Sequence, residues 1–183
     1  MISAGRLETQ KNHKLLVDSF AKIAAVHKNW NLKIYGEGSL RGLLETRVKI
    51  LNIEDRVSIE PATKDIYHAL SNAHLFVLSS AHEGFPNILA EAVATGLPCI
   101  GFASVSGVPE LITDGENGVL LRDEQRNSDG LATAISSLIG DSERRQIMSE
   151  NCKLIAVNYK PTTVHNAWVS LILELTSPRK STE

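Results

Sequence analysis

Short apolar runs alternate with helix-patterned segments along this chain, and that alternation constrains its fold more than anything else in it. Residues 1–4 form an apolar run ending at Gly5-Arg6, and residues 12–27 then carry Leu15, Leu16, Phe20, Ile23, Ala24 and Val26 at helical spacing. The unit repeats: residues 31–36 predict a second strand stopped by Gly36 and Gly38, and Leu40, Leu43, Leu44, Val48 and Leu51 mark the next helix. Residues 57–59 predict a minimal third strand, residues 65–73 a short helix, and residues 74–80 a fourth strand. Pro86 then opens a helix that runs to about Thr95 and stops at Gly96-Leu97-Pro98, followed by a fifth strand over residues 99–103 and a sixth over 118–121. Helical patterns return over residues 131–139, 141–157 and 161–175, before a polar tail.

Strands that read as continuous apolar runs are buried on both faces, and regular alternation with helices implies a parallel sheet between two helix layers. The expected fold is therefore α/β: a Rossmann-like, doubly wound parallel sheet of about six strands with helices on both faces, in a single domain. Such sheets bind ligands beyond the carboxyl ends of their strands, which directs attention to the loops after Ala4, Tyr35, Leu78 and Phe102 and to residues 113–118.

Three of those loops carry chemistry. The first holds Gly5, Arg6 and, five residues on, Lys11. A planar guanidinium can bond two phosphate oxygens while an ammonium acts as a movable point charge, so the pair suits a diphosphate, although two solvated surface cations would read the same way. The second is Gly36-Glu37-Gly38-Ser39, whose glycines permit close backbone approach to a ligand or a positive φ. It does not complete a dinucleotide fingerprint, because Arg41 occupies the third glycine's place and the loop follows the second strand. The third is Glu83-Gly84-Phe85-Pro86-Asn87-Ile88-Leu89-Ala90-Glu91. With Pro86 in a first helical turn, the N–H groups of Asn87 and Ile88 are expected to be free and to form an anion site with the helix dipole. Glu83 can face a sugar at the cleft and Glu91 can accept bonds from a ribose diol; alone, either is equally a helix-start or solvated carboxylate.

Read in order, Ala4-Gly5-Arg6-Leu7, Gln10-Lys11, Tyr35-Gly36-Glu37-Gly38 and the Glu83 to Glu91 motif resemble the C-terminal domain of retaining glycosyltransferase family 4 enzymes, of GT-B fold. Gly96-Leu-Pro-Cys-Ile and the run from Ser106 to Gly118 fit the same family, and the likeness covers roughly residues 3–140. The resemblance implies that Arg6 and Lys11 neutralise a donor diphosphate, that Glu83 bonds hydroxyls of the transferred sugar and that Glu91 binds the ribose. Gly84, Phe85, Asn87 and Ile88 would add contacts to sugar and phosphates, with Gly5, Gly36 and Gly38 lining the donor site. It also implies retention of anomeric configuration without a side-chain nucleophile, a UDP-sugar as the expected donor, a saccharide or lipid-linked acceptor, and a setting in polysaccharide or glycolipid assembly. No cofactor or metal is expected, since no D-x-D pair occurs and two cations plus a helix start can offset the diphosphate charge.

Two departures accompany the likeness. Asn12-His13 stands where many relatives carry Gly after the Lys, and His13 is expected on the helix surface. Met1 abuts the first strand, so the N-terminal acceptor domain of the family is expected to be absent from this chain, leaving it inactive alone. The terminal helix would then bury Val164, Trp168, Leu171, Ile172 and Leu175 in ordinary core packing. A non-catalytic nucleotide-sensing module, or a GT-B enzyme that epimerises or hydrolyses nucleotide sugars, remains as an alternative.

Composition narrows the partners. Nineteen Lys and Arg against twenty-one Asp and Glu provide no basic field for nucleic acid. Cys99 and Cys152 have no metal-type spacing and read as reduced, buried thiols. No signal peptide or bilayer-length apolar window occurs, so a cytoplasmic location is expected, with membrane contact at most peripheral through the missing domain.

Overall fold

The computed structural model of the protein describes residues 1–159 and 161–176; the polar tail lies outside the described residues. Six strands, β1 (Ile2–Ala4), β2 (Leu32–Tyr35), β3 (Val57–Glu60), β4 (Phe76–Val77), β5 (Cys99–Phe102) and β6 (Gly118–Leu121), form one sheet. Every neighbouring pair is parallel, and the spatial order is β3-β2-β1-β4-β5-β6. The chain winds outward from β1 in one direction and then restarts at β4 in the other. The crevice between the ends of β1 and β4 is thus the topological switch point, where open α/β sheets bind ligands.

The helices are α1 (His13–Ala24), α2 (Arg41–Ile50), α3 (Ile66–Ser71), α4 (Asn87–Ala94), α5 (Ser128–Gly140), α6 (Ser142–Ala156) and α7 (Pro161–Thr176). One layer packs α1 against α2 and α5, and the other packs α4 against α3 and α6. The amphipathic spacing explains the fit: α1 buries Leu16, Val17, Phe20, Ile23 and Ala24 along one stripe. Leu32, Ile34, Phe76, Val77, Ile100 and Phe102 meet those stripes from the sheet. Each such side chain contributes about 1.5–3 kcal/mol when fully buried. The core therefore lies along the sheet and leaves the polar strand-end loops outside it.

The predicted elements exist, with shifted ends. The fourth strand is two residues long by pairing, yet its ladder extends through Ile2 N–H to the Leu75 carbonyl and Leu78 N–H to the Ile100 carbonyl, both at 2.9 Å. The helix expected from residue 12 begins at His13, because Asn12 adopts φ 48°, ψ 39° and breaks the preceding 3-10 turn (Thr9–Lys11) from α1. Asp65 caps α3, accepting the His68 N–H at 3.1 Å.

Two expectations are corrected. His13 is not a helix-surface residue: it is buried, 3% exposed, at the point where α1 meets the core. The apolar stripe of α7 is not in ordinary core packing either; Val164, Trp168, Leu171, Ile172 and Leu175 are all exposed, Leu175 to 76%. Its spacing is helical, but among the described residues that face is left exposed. No helix among the described residues is long and apolar enough to cross a membrane.

Candidate functional site

The loops after β1 and β2 are joined before any ligand is considered. Gly5 N–H donates to the Tyr35 carbonyl at 3.0 Å, Leu7 N–H to the Glu37 carbonyl at 2.8 Å, and Leu40 N–H to the Leu7 carbonyl at 2.9 Å. Glycine at position 36 is dictated by this approach, because a Cβ there would lie 1.9 Å from the Gly5 carbonyl oxygen. Gly38, at φ +157°, passes Leu7 nearly as closely, and a Cβ there would lie 2.5 Å from the Leu7 carbonyl oxygen. The closeness that Gly36 and Gly38 permit is to the neighbouring loop's backbone. Glu8 completes the joint by accepting the Ser39 N–H and hydroxyl, each at 2.8 Å, and those donors hold its carboxyl below the usual range.

The loops after β1 and β4 face each other across the switch point. Lys11 Nζ lies 2.6 Å from Glu83 Oε1, with only 14% and 7% of the two side chains exposed. Ser80, the last residue of the apolar run through β4, donates its hydroxyl to the same Glu83 oxygen at 2.6 Å. Backbone stitches fix the loops: Ser79 Oγ donates to the Lys11 carbonyl at 2.9 Å and Ala81 N–H to the Gln10 carbonyl at 2.7 Å. Gln10 Nε2 donates to the His82 carbonyl at 2.9 Å, while its Oε1 accepts Arg6 Nη2 at 3.3 Å. Arg6 is otherwise exposed on the rim. Thus the two predicted cations differ: Lys11 is held in a largely shielded ion pair, and Arg6 lies exposed on the rim with the Gln10 side chain as its hydrogen-bond partner.

Shortly beyond Glu83, α4 begins, with Pro86 as its cap residue and not inside its first turn. The Asn87 N–H, expected to be free, donates to the Phe85 carbonyl at 3.0 Å, because the turn at Pro86 folds back on itself. Leu89 and Ala90 N–H both return to the Pro86 carbonyl. Ile88, second in the helix, has no preceding helical carbonyl to reach, so the anion site reduces to its N–H and the dipole of α4. Gly84 and Phe85 are exposed beside it, and Gly107, at φ +78°, lets its loop press on Pro86: a Cβ there would be 2.5 Å from the proline Cδ. Ser106 Oγ donates to the Gly84 carbonyl at 3.3 Å. Glu91 lies one turn into α4, half-buried.

Sequence reasoning missed three residues of this edge. Ser80 was signalled by its place at the carboxyl end of an apolar strand. Arg126 was not: it lies 46 residues beyond Ser80, whose carbonyl it reaches at 3.0 Å. His13 stands next to the site and carries, among the described residues, the buried polar side-chain atom Nδ1 with no hydrogen-bond partner. Burial first, and Lys11 second, lower its pKa to about 4. The thiols behave as expected, both buried and both aimed at the Leu97 carbonyl, with burial pushing their pKa values up.

A cleft of about 760 Å³ lies elsewhere; Met1, Trp30, Asn31 and His74, which precede strands β1, β2 and β4, line it. Volume alone would favour it, but the convergent charges and the helix start are at the opposite, carboxyl end of the sheet, where this topology binds ligands.

A parallel 3-2-1-4-5-6 sheet with a charged pair across its switch point defines a Rossmann-like α/β domain whose polar site is its carboxyl edge. The chain belongs to the glycosyl transferases group 1 family, whose model matches residues 1–154. It is 31% identical over 172 residues to an uncharacterized glycosyltransferase of Haemophilus influenzae, covering 94% of this chain and 48% of that protein. It is 32% identical over 179 residues to the GtfA subunit of a UDP-N-acetylglucosamine–peptide N-acetylglucosaminyltransferase of Streptococcus gordonii, covering 96% of this chain and 35% of that subunit. The crystal structure of a GtfA/B complex matches it with a TM-score of 0.86 at 30% identity, over 95% of this chain and 35% of that one. The fold is that of a GT-B glycosyltransferase domain, and the chain spans half or less of the length of these relatives.

Proposed function

We propose that this domain grips the diphosphate of a nucleotide-sugar donor, a UDP-sugar, at the β1–β4 crevice. The observation that carries the reading is the Lys11–Glu83 pair at the switch point, just ahead of the start of α4. Lys11 would turn part of its charge from Glu83 to the diphosphate, Arg6 would swing in from the rim, and the Ile88 N–H with the α4 dipole would hold a phosphate oxygen. Glu83 and Glu91 would then bond the sugar hydroxyls and the ribose diol. The name of the Streptococcus gordonii relative supports UDP as the nucleotide.

In the whole enzyme the domain would serve retaining transfer of a hexosyl group to a saccharide or lipid-linked acceptor. The bond from the anomeric carbon to the diphosphate breaks, the acceptor oxygen bonds that carbon from the same face, and the acceptor proton passes to the departing diphosphate oxygen. Stabilising that departing charge is the work of Lys11 and Arg6, and the reading requires no metal. An N-terminal half, supplying the acceptor contacts, would close over the open carboxyl edge; the exposed stripe of α7 is available to it.

Calorimetry of this chain with UDP, GDP and ADP tests the proposal. Binding of UDP, weakened about tenfold or more in Lys11→Ala and Arg6→Ala, is the expected result. No binding of any of the three, or equal binding by both variants and the parent, would overturn it.

A further inference from the structure

Resting on the reading above, we propose that Arg126 is the positioning residue for Glu83, and so helps the site tell a sugar-bearing donor from a bare nucleoside diphosphate. Arg126 leaves the turn after β6 with 25% of its side chain exposed. Its Nη2 donates to the Ser80 carbonyl at 3.0 Å and also to the Ala81 carbonyl. Its guanidinium lies over the Phe102 ring, 5.2 Å from the centroid, and Nη1 stands 3.5 Å from Ser104 Oγ and 4.0 Å from Asp123 Oδ1. One side chain thus ties the ends of β4, β5 and β6 together.

The backbone that carries Arg126 is itself fixed. Its N–H donates to the Asp123 carbonyl, and the next residue, Asn127, caps α5 by accepting the Asp129 and Gly130 N–H groups at 3.0 and 2.9 Å. From that base one guanidinium nitrogen, Nη2, restrains two successive peptide groups of a segment with no regular structure. Restraining the Ser80 peptide restrains its hydroxyl, and that hydroxyl donates to Glu83 Oε1 at 2.6 Å. The path from guanidinium to carboxylate runs through one residue. Lys11 shares that Glu83 oxygen, but its backbone is fixed within its own loop, where its N–H donates to the Glu8 carbonyl at 3.0 Å. Loss of Arg126 would therefore displace the group assigned to the sugar more than the group assigned to the diphosphate.

The test is calorimetric titration of the chain with UDP, UDP-glucose and UDP-N-acetylglucosamine. Arg126→Ala is expected to weaken whichever sugar conjugate binds by about tenfold while UDP changes less than about twofold, since small misplacements of a positioning shell fall on the groups it orients. Ser80→Ala should show the same selective loss, the double variant little more than either single one, and Arg126→Lys an intermediate effect. Equal losses for UDP and its conjugates, or no loss at all, would reduce Arg126 to a clamp of the fold and overturn the proposal. Wild-type chain that binds none of the three ligands would instead remove the donor reading beneath it. Should circular dichroism show Arg126→Ala unfolded, Arg126→Lys and Ser80→Ala decide the matter by the same ratio.

Discussion

Lys11 Nζ sits 2.6 Å from Glu83 Oε1 although 72 residues separate them, and the pair joins the two loops between which the sheet reverses its winding. Both side chains are largely shielded, so each charge depends on the other for compensation. Replacing Lys11 by Met leaves a carboxylate with only the Ser80 hydroxyl beside it, and a loss of roughly 3 kcal/mol in urea unfolding is expected. Glu83→Gln keeps the hydroxyl bond and frees Lys11. That variant is expected to hold UDP at least as tightly as the parent, whereas Lys11→Met is expected to lose about tenfold or more in calorimetry. Equal UDP affinity in the two variants would show that Lys11 does not face the diphosphate.

Position 36 admits glycine only. A methyl group there would lie 1.9 Å from the Gly5 carbonyl oxygen, a backbone atom fixed by the β1–β2 register, and cannot be accommodated by a side-chain movement. Gly36→Ala is expected to destabilise the domain by several kcal/mol and to separate the two loops. Gly42, in the first turn of α2, provides the control, because a methyl group added there would meet nothing within 4 Å. Gly42→Ala should leave stability unchanged or raise it by up to about 1 kcal/mol through helix propensity. Thermal melts of the two variants check both statements, with a fall expected for Gly36→Ala and none for Gly42→Ala.

The sheet was legible because its signal is periodic: uninterrupted runs such as residues 75–78 can be buried only between two layers, and the helices between them set the direction. The candidate edge followed from topology plus the Glu83 to Glu91 motif. What escaped depends on contacts between distant residues or on backbone turns of one residue. Nothing in the spacing of Asn87 says that its N–H folds back to Phe85, and nothing near Arg126 says that it ends at Ser80. His13 belongs to the same class. A polar residue beginning a helix reads as surface, and only the left-handed turn at Asn12 rotates it inward. The stripe of α7 failed differently: helical spacing of Val164, Trp168 and Leu171 specifies an apolar face but not what covers it.

That left-handed turn makes its own prediction. Asn12, at φ 48° and ψ 39°, lies in a region that L residues other than Asn and Asp enter at a cost of roughly 1–2 kcal/mol, while glycine enters it freely. Asn12→Gly is expected to change stability by no more than about 0.5 kcal/mol, and Asn12→Val to lower it by about 1–2 kcal/mol. A Val variant as stable as the parent in urea melts would mean that the turn relaxes and that the entry to α1 is not fixed by it.

His13 should make the domain's stability depend on pH in a window of its own. In an unfolded chain its imidazole titrates near 6.5; in the fold, burial and the Lys11 charge hold it at about 4. Between those values the unfolded chain takes up a proton that the folded one refuses, so stability is complete above pH 6.5 and falls as the pH drops toward 4. Below 4 both states carry the proton and the loss levels off. A buried group with this displacement contributes roughly 3 kcal/mol across the window. Asp18 adds acid sensitivity below the histidine's range: burial acts to raise its carboxyl, but the bonds from Arg47 and Lys14 outweigh that and hold it below its usual value, so the two groups must be separated. His13→Leu does so: it removes the orphaned Nδ1 and the titration together while leaving Asp18 in place. Urea melts at pH 7, 5.5 and 4 should show parent and variant diverging as the pH falls, with the variant the flatter. Parallel curves would mean that the fold does not lower the proton affinity of His13 and that its imidazole is hydrated in place.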